Sequence, residues 1–450
     1  MTEVNGYDRR AFLRRGAMGA GAFWALSLNP FMVRRAHGAA IASPYGAISP
    51  KVDETTGLPL LKLPDGFRYQ SFSWTGDMMA DDVRCPNLHD GMAVIDARGN
   101  SGQLILVRNH EGGSGGPYVQ KPSITYADDG AGGTTNLVFD ARHGRWMKDW
   151  SSLAGTIRNC AGGVTPWGTW ISGEETFGPS HGWSFEVGAQ KGDARPIVDM
   201  GRFSHEAMMV DPVTGHVYET EDATPSGFYK FVPNVPGHLH DGGELFMLRV
   251  KNQPNFNFGP VSLVGQIWDV EWVPIADPAA TVQTTYVQGA MSPHFGAQFR
   301  RLEGCWWGVE TGYFLSTNGG PAGEGQVFEY DPVGETLKLI YVSPSANDLD
   351  NPDNITVTPR GGLLLCEDAA GDHFVGERLV GLTLDGNTFT FAQNNINLTT
   401  AYNDRVPAGN YVRNEFAGAC YSPDGQWLFV NIQTPGVTFA ITGPWGSGPL

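Results

Sequence analysis

Charge is sparse in this chain, and one sign of it is scarcer than the other. Only 17% of the 450 residues are charged, and 30 lysines and arginines face 47 aspartates and glutamates, for a net charge of −17. Residues 1–40 hold six arginines against Glu3 and Asp8, a net of +4, which leaves −21 for the remainder. A nucleic-acid partner calls for a basic face, so that class is set aside. Such a surface suits solubility or calcium binding, and an anionic substrate would need a local reversal of the field.

Cysteine is also rare. Cys85, Cys160, Cys305, Cys366 and Cys420 make an odd count, and no two stand at CxxC spacing, which argues against a structural zinc site. Cys366 in "GGLLLCEDA" and Cys305 in "LEGCWWGVE" sit in apolar runs, as small buried hydrophobes do. Cys160 stands instead beside Asn159 and just ahead of a glycine pair, in "NCAGGVTPWGTWISGEETFG". Several catalytic signatures are missing: HExxH, GxSxG, a P-loop, GxGxxG before a helix, and an EF-hand loop. Long apolar runs are nearly missing too. The run from Ala17 to Val33 is short and broken by glycine and proline, so it would span a bilayer poorly. It follows the pair Arg9-Arg10 with Phe12 and Leu13, and small residues cluster from Ala36 to Ala40. That layout predicts a twin-arginine export signal over residues 1–40, cleaved between Gly38 and Ala40, with no stable membrane anchor afterwards. Export machinery of that route is then a partner, and the mature protein is periplasmic or extracellular.

Glycine and proline are abundant, at 60 and 30 residues, and they punctuate short apolar runs throughout residues 41–450. This predicts an all-β domain with many turns. An internal repeat refines the reading. Aligned on a turn glycine, "PWGTWISGEE" pairs Gly168 with Glu174, "PVTGHVYETED" pairs Gly215 with Glu221, and "LEGCWWGVET" pairs Gly304 with Glu310. "PRGGLLLCED" pairs Gly361 with Glu367 and "PDGQWLFVNIQ" pairs Gly425 with Asn431, while "NSGQLILVRNHE" begins alike at Gly102 and reaches Glu111. Six such units predict a six-bladed β-propeller. Their spacing of roughly 50 to 90 residues exceeds the about 40–45 of a compact blade, so long inserted loops are expected. Acids repeated at strand ends would converge on the central channel, where only cations keep them from repelling one another. Many hard oxygen donors favour Ca²⁺, and a thiolate favours a softer ion such as iron, zinc or copper. In "QFRRLEGCWWG", an extended backbone would put Arg301 and Glu303 on one face and Arg300 on the other.

Taken together, "RNHE", "NCAGGVTPWGTWISGEE", "GRFSHE", "ETED", "RRLEG", "NPDNI" and "NEFAGACYSPDGQWLFVNIQTPG" closely resemble the PhoX family of bacterial secreted alkaline phosphatases, nearly end to end over residues 41–450. The resemblance implies a six-bladed propeller whose channel holds a cluster of Fe³⁺ and Ca²⁺ ions and hydrolyses phosphate monoesters. It implies that Cys160 binds iron, that Glu206 and Glu303 bridge metals, and that Glu111, Asp353 and Glu415 supply further carboxylates. Arg301 resembles the arginine that holds the substrate. Asn159, Glu174, Glu175, Asp222, Asn354, Glu367 and Asp368 are further candidate contacts to metal or substrate. Small phosphorylated molecules are the expected partners, and a monomer is expected. Two other readings stay open: a non-catalytic, calcium-stabilised envelope propeller, and a calcium-dependent lactonase-like hydrolase with no evident use for Cys160.

Overall fold

A computed structural model describes residues 40–98, 102–368 and 376–450. The twin-arginine segment therefore lies outside the described residues. The chain is built almost wholly of antiparallel strands, with one short helix at Thr285–Ala290 and three 3-10 turns among the described residues. No helix there is long and apolar enough to cross a membrane.

Six strands form the inner layer: β1 (His89–Arg98), β2 (Asn159–Val164), β3 (His205–Val210), β4 (Leu302–Trp307), β5 (Pro352–Val357) and β6 (Phe416–Tyr421). Each packs on the next in chain order, and β6 returns to β1. From each of them an antiparallel sheet runs outward, which makes the arrangement propeller-like. The sheets that start from β3 and β4 are joined at their outer edges through Ile267–Pro274 and Thr336–Val342, so they form one nine-stranded sheet. The sheet that starts from β6 takes its outermost strand, Arg68–Phe72, from the other end of the chain. This pairing covers an edge that would otherwise expose unpaired backbone groups.

Small residues let the inner strands approach. A Cβ on Gly91 would lie 2.6 Å from Ala161 Cα, one on Gly304 2.6 Å from Asp353 O, and one on Gly418 2.5 Å from Asp90 O. Gly91, Ala161, Ala207, Gly304, Asn354 and Gly418 line a small cavity where these strands converge. The pairing of every inner strand with its outer neighbour shifts register within a few residues of its start. Such bulges turn side chains that a regular pleat would send elsewhere. Four inner strands are entered through a non-glycine residue in the left-handed region: Leu88 (φ 52°), Arg158 (φ 52°), Arg301 (φ 41°) and Asn351 (φ 42°). Each costs on the order of 1–3 kcal/mol, which the surrounding packing must offset.

The turn glycines of the repeat behave as read at Gly102, Gly168, Gly215, Gly361 and Gly425, all at positive φ. Gly304 does not. It lies inside β4, and Glu310 sits exposed in the following turn, so that unit is out of phase. Its apolar run, "CWW", is inner strand rather than second strand, and the sequence pattern alone does not separate the two.

Candidate metal centre

The second residue of each of the first five inner strands is a metal-ligand type: Asp90, Cys160, Glu206, Glu303 and Asp353. All five are buried. With Glu111 and Glu175 they form three groups whose ligand atoms lie within 4.8 Å of one another: Asp90–Glu111–Cys160, Cys160–Glu175–Glu206, and Glu206–Glu303–Asp353. Cys160 and Glu206 are each shared by two groups, so the three make one continuous arc. Strand β6 departs from the pattern. Its second residue is Ala417, and Glu415 just precedes the strand, near enough to Asp368, Asp353, Asp90 and Glu111 to feel their charge.

The electrostatics of the arc are unfavourable without cations. Burial pushes Asp90, Glu206, Glu303 and Glu415 well above the carboxylate range, and the neighbouring acids push them further. Burial and then Asp368 raise Asp353 to about 7. Burial raises Glu175 to about 8, with Glu111 and Asp222 opposing the help it gets from Arg158. The Cys160 thiol is also pushed well up, by burial first and then by Asp90 and Glu206. Both carboxylate oxygens of Glu206, and Oδ1 of Asp90, are buried with no hydrogen-bond partner. An isolated buried carboxylate costs several kcal/mol unless it is paired or binds a metal. The donor set therefore fits cations: carboxylates for hard ions, with one thiol at the junction of two groups.

Two arginines flank this arc. Arg301 grips Asp222 through Nε (2.8 Å) and one terminal nitrogen (3.0 Å), and the same nitrogen lies 2.7 Å from Glu303. The pairing with Glu303 expected from strand alternation is present, but for another reason. Arg301 has φ 41° and precedes the strand, so its backbone is not extended. Arg300 is exposed and packs over Gly259. Arg158 mirrors Arg301, bonded to Glu111 and to Glu175.

The remaining candidates fall away from the arc or support it. Asn159 is turned into its own sheet: it accepts from Thr156 and donates to Ser172 Oγ at 2.9 Å. Asn354 ties β5 to β6, donating to Asp353 (2.6 Å) and accepting from Gly418 N (2.7 Å). Glu174 accepts from Ile157 N, Gly182 N and Trp183 N and meets His181 Nδ1 at 2.6 Å. Glu221 accepts from Gly227 N and Tyr229 Oη. Glu367 accepts from Asp350 N and pairs with Arg378. The in-phase acids Glu174, Glu221 and Glu367 thus anchor loops. The arc comes mainly from the inner strands, a different set of residues from the repeat that suggested it. Asp222 holds Arg301, and Asp368 acts on Asp353 and Glu415 through its charge.

Asp90 and Arg158 were not among the residues singled out by sequence. Their signals are visible once the inner strands are known. Asp90-Gly91 matches Glu303-Gly304, and Arg158 precedes Asn159-Cys160 as Arg301 precedes Leu302-Glu303. All five cysteines are buried and free of disulfides. Cys305 and Cys366 lie within apolar clusters, as their runs suggested.

The fold resembles that of Pseudomonas fluorescens PhoX in complex with vanadate, a transition-state analogue, with TM-score 0.60 and 17% identity over 90% of this chain and 99% of that one. A gluconolactonase from Xanthomonas campestris is more distant, with TM-score 0.43 and 12% identity over 91% of this chain and 100% of that one. No curated protein matches the sequence. The alkaline phosphatase PhoX family model matches residues 43–149 and 143–436, a span that holds every residue of the arc. The chain belongs to the alkaline phosphatase PhoX family.

Proposed function

We propose that this protein hydrolyses phosphate monoesters, releasing inorganic phosphate, at a cluster of cations held by the arc from Asp90 to Asp353. The observation that carries this reading is the junction at Glu206. A fully buried carboxylate with no hydrogen-bond donor joins two groups of acids inside a chain of this family. Cys160 would hold iron, while Glu111, Glu175, Glu206, Glu303, Asp353 and Glu415 would hold iron and calcium between them. When bound, such ions polarise phosphate oxygens and lower the pKa of an attacking water.

The chain's own residues supply orientation and field. Arg301 spends Nε and one terminal nitrogen on Asp222 and Glu303 and keeps the other terminal nitrogen for a phosphate oxygen. Asp222 fixes the plane of that fork, and Asn354 fixes Asp353. We further read the ring β1–β6, closed by Arg68–Phe72, as six blades, and residues 1–40 as a twin-arginine signal that exports a single domain, 41–450, to act as a monomer. The test is a panel of phosphomonoesters on purified protein of known metal content. Turnover that depends on bound metal is expected. A protein that holds only calcium and hydrolyses no monoester would favour the binding-propeller reading instead.

A further inference from the structure

Arg158 and Arg301 occupy the same place in two different blades. Each immediately precedes an inner strand, β2 or β4, and each sits at positive φ, 52° and 41°. Arg158 joins two acids of the arc, Glu111 and Glu175, and Arg301 joins one, Glu303, to Asp222 beside it. Each uses its nitrogens in the same way. Arg158 places Nε 3.2 Å and one terminal nitrogen 3.0 Å from Glu111, and that terminal nitrogen also meets Glu175. In both residues the other terminal nitrogen has no hydrogen-bond partner among the described residues. The side chains are 46% and 37% exposed, so solvent and a ligand can reach them. Leu88 and Asn351 enter β1 and β5 through the same left-handed conformation, so what sets the two arginines apart is that each ties together acids of the arc or beside it and leaves one terminal nitrogen open. A rigid fork with one face committed to acids and the other left open is a phosphate-binding arrangement.

We propose that Arg158 is a second substrate-binding arginine, which contacts a phosphate oxygen from the Cys160 side of the arc while Arg301 does so from the Glu303 side. This deepens the proposed function and rests on it. It also assigns a specificity. A monoester near neutral pH is a dianion with three terminal oxygens, enough for the cluster and two forks. A diester is a monoanion with two, so the second fork adds little for it. Arg158 therefore favours monoesters over diesters.

The experiment compares Arg158→Ala and Arg158→Lys with the unaltered, metal-loaded protein on 4-nitrophenyl phosphate and bis(4-nitrophenyl) phosphate. Inorganic phosphate affinity is measured by calorimetry, and metal content and thermal midpoint are followed in parallel. Removing one donor from a developing charge costs on the order of 10²–10³ in rate. The Ala variant should lose that much in kcat/KM on the monoester and less than tenfold on the diester, and should bind phosphate at least tenfold more weakly, with metals retained. The Lys variant keeps the charge but not the fork, and should fall between. Arg300→Ala, at the exposed position over Gly259, should change none of these. Equal losses on both esters, unchanged phosphate affinity, or loss of metal in the Ala variant would each overturn the proposal. If the unaltered protein bound phosphate through Arg158 yet cleaved no monoester, the proposed activity would fail while the binding role stood.

Discussion

At the residue scale, the clearest mark of the site is a buried carboxylate at its centre with no hydrogen-bond donor, Glu206. Glu174 provides the contrast. Both are acids on strands and both are fully buried, yet Glu206 has no donor and Glu174 has four. Glu206→Gln should therefore lower metal content and activity, and in the metal-free state it should be more stable than the unaltered chain, because it removes a group whose charge is penalised by burial and by Asp353, Glu175 and Asp90. Metal analysis and denaturant midpoints in chelator check both halves. A metal-free variant less stable than its parent would show that Glu206 has a structural partner. Arg301 is the matching case for the substrate. Arg301→Ala or Arg301→Lys should lose about 10²–10³ in kcat/KM with metal content unchanged. Metal loss as the first effect would mean that Arg301 serves only to neutralise Glu303 and Asp222.

At the element scale, the repeated acids at the ends of second strands organise loops. The Glu174 carboxylate gathers the turn at Ile157 and the loop ending at Trp183, and so places Arg158 and Glu175, the residues on either side of those contacts. Glu174→Ala leaves three backbone N–H groups without their acceptor, at about 1–3 kcal/mol for each that stays buried. A lower thermal midpoint is expected, together with weaker metal retention. A midpoint within a degree of the parent would place the loop anchor elsewhere. The same element shows what could be read in advance. Turn glycines with fixed φ and apolar runs of strand length mark the second strands in the sequence, because a turn is a local feature. The inner strands are short, bulged and rich in small residues, so their pattern is weak. "LHDGMAV" gave no signal for Asp90, although Asp90 stands where Glu303 stands in β4. The family resemblance of their motifs pointed to Cys160, Glu206, Glu303 and Asp353, and Cys160 also stood out by its place between Asn159 and a glycine pair. Their spacing from a turn glycine did not point to them, and that phase led instead to Glu174, Glu221 and Glu367.

At the scale of the whole molecule, the arc gathers the starts of five inner strands at the cost of concentrated negative charge. Its carboxylates are raised in the folded chain, so without cations the folded state binds more protons than the unfolded state does. By linkage, stability is then full below the ordinary carboxylate range and is lost as pH rises through the folded values, about 7 for Asp353 and about 8 for Glu175. The chelated protein should show a thermal midpoint that falls between pH 5 and pH 9, and added calcium should flatten that slope. A chelated protein equally stable at both ends of this range would show that the arc is not a source of strain.

The central claim is that one thiol and a ring of acids hold a mixed cluster on which hydrolysis depends. Elemental analysis of the unaltered protein and of Cys160→Ser, each paired with a phosphomonoesterase assay, tests it most directly. A serine hydroxyl is a poor substitute for a thiolate toward iron. The account predicts iron and calcium in the unaltered protein, and a folded Cys160→Ser variant that keeps calcium and loses both iron and turnover. Full turnover with no iron bound, or a serine variant that retains iron and the parental rate, would contradict it.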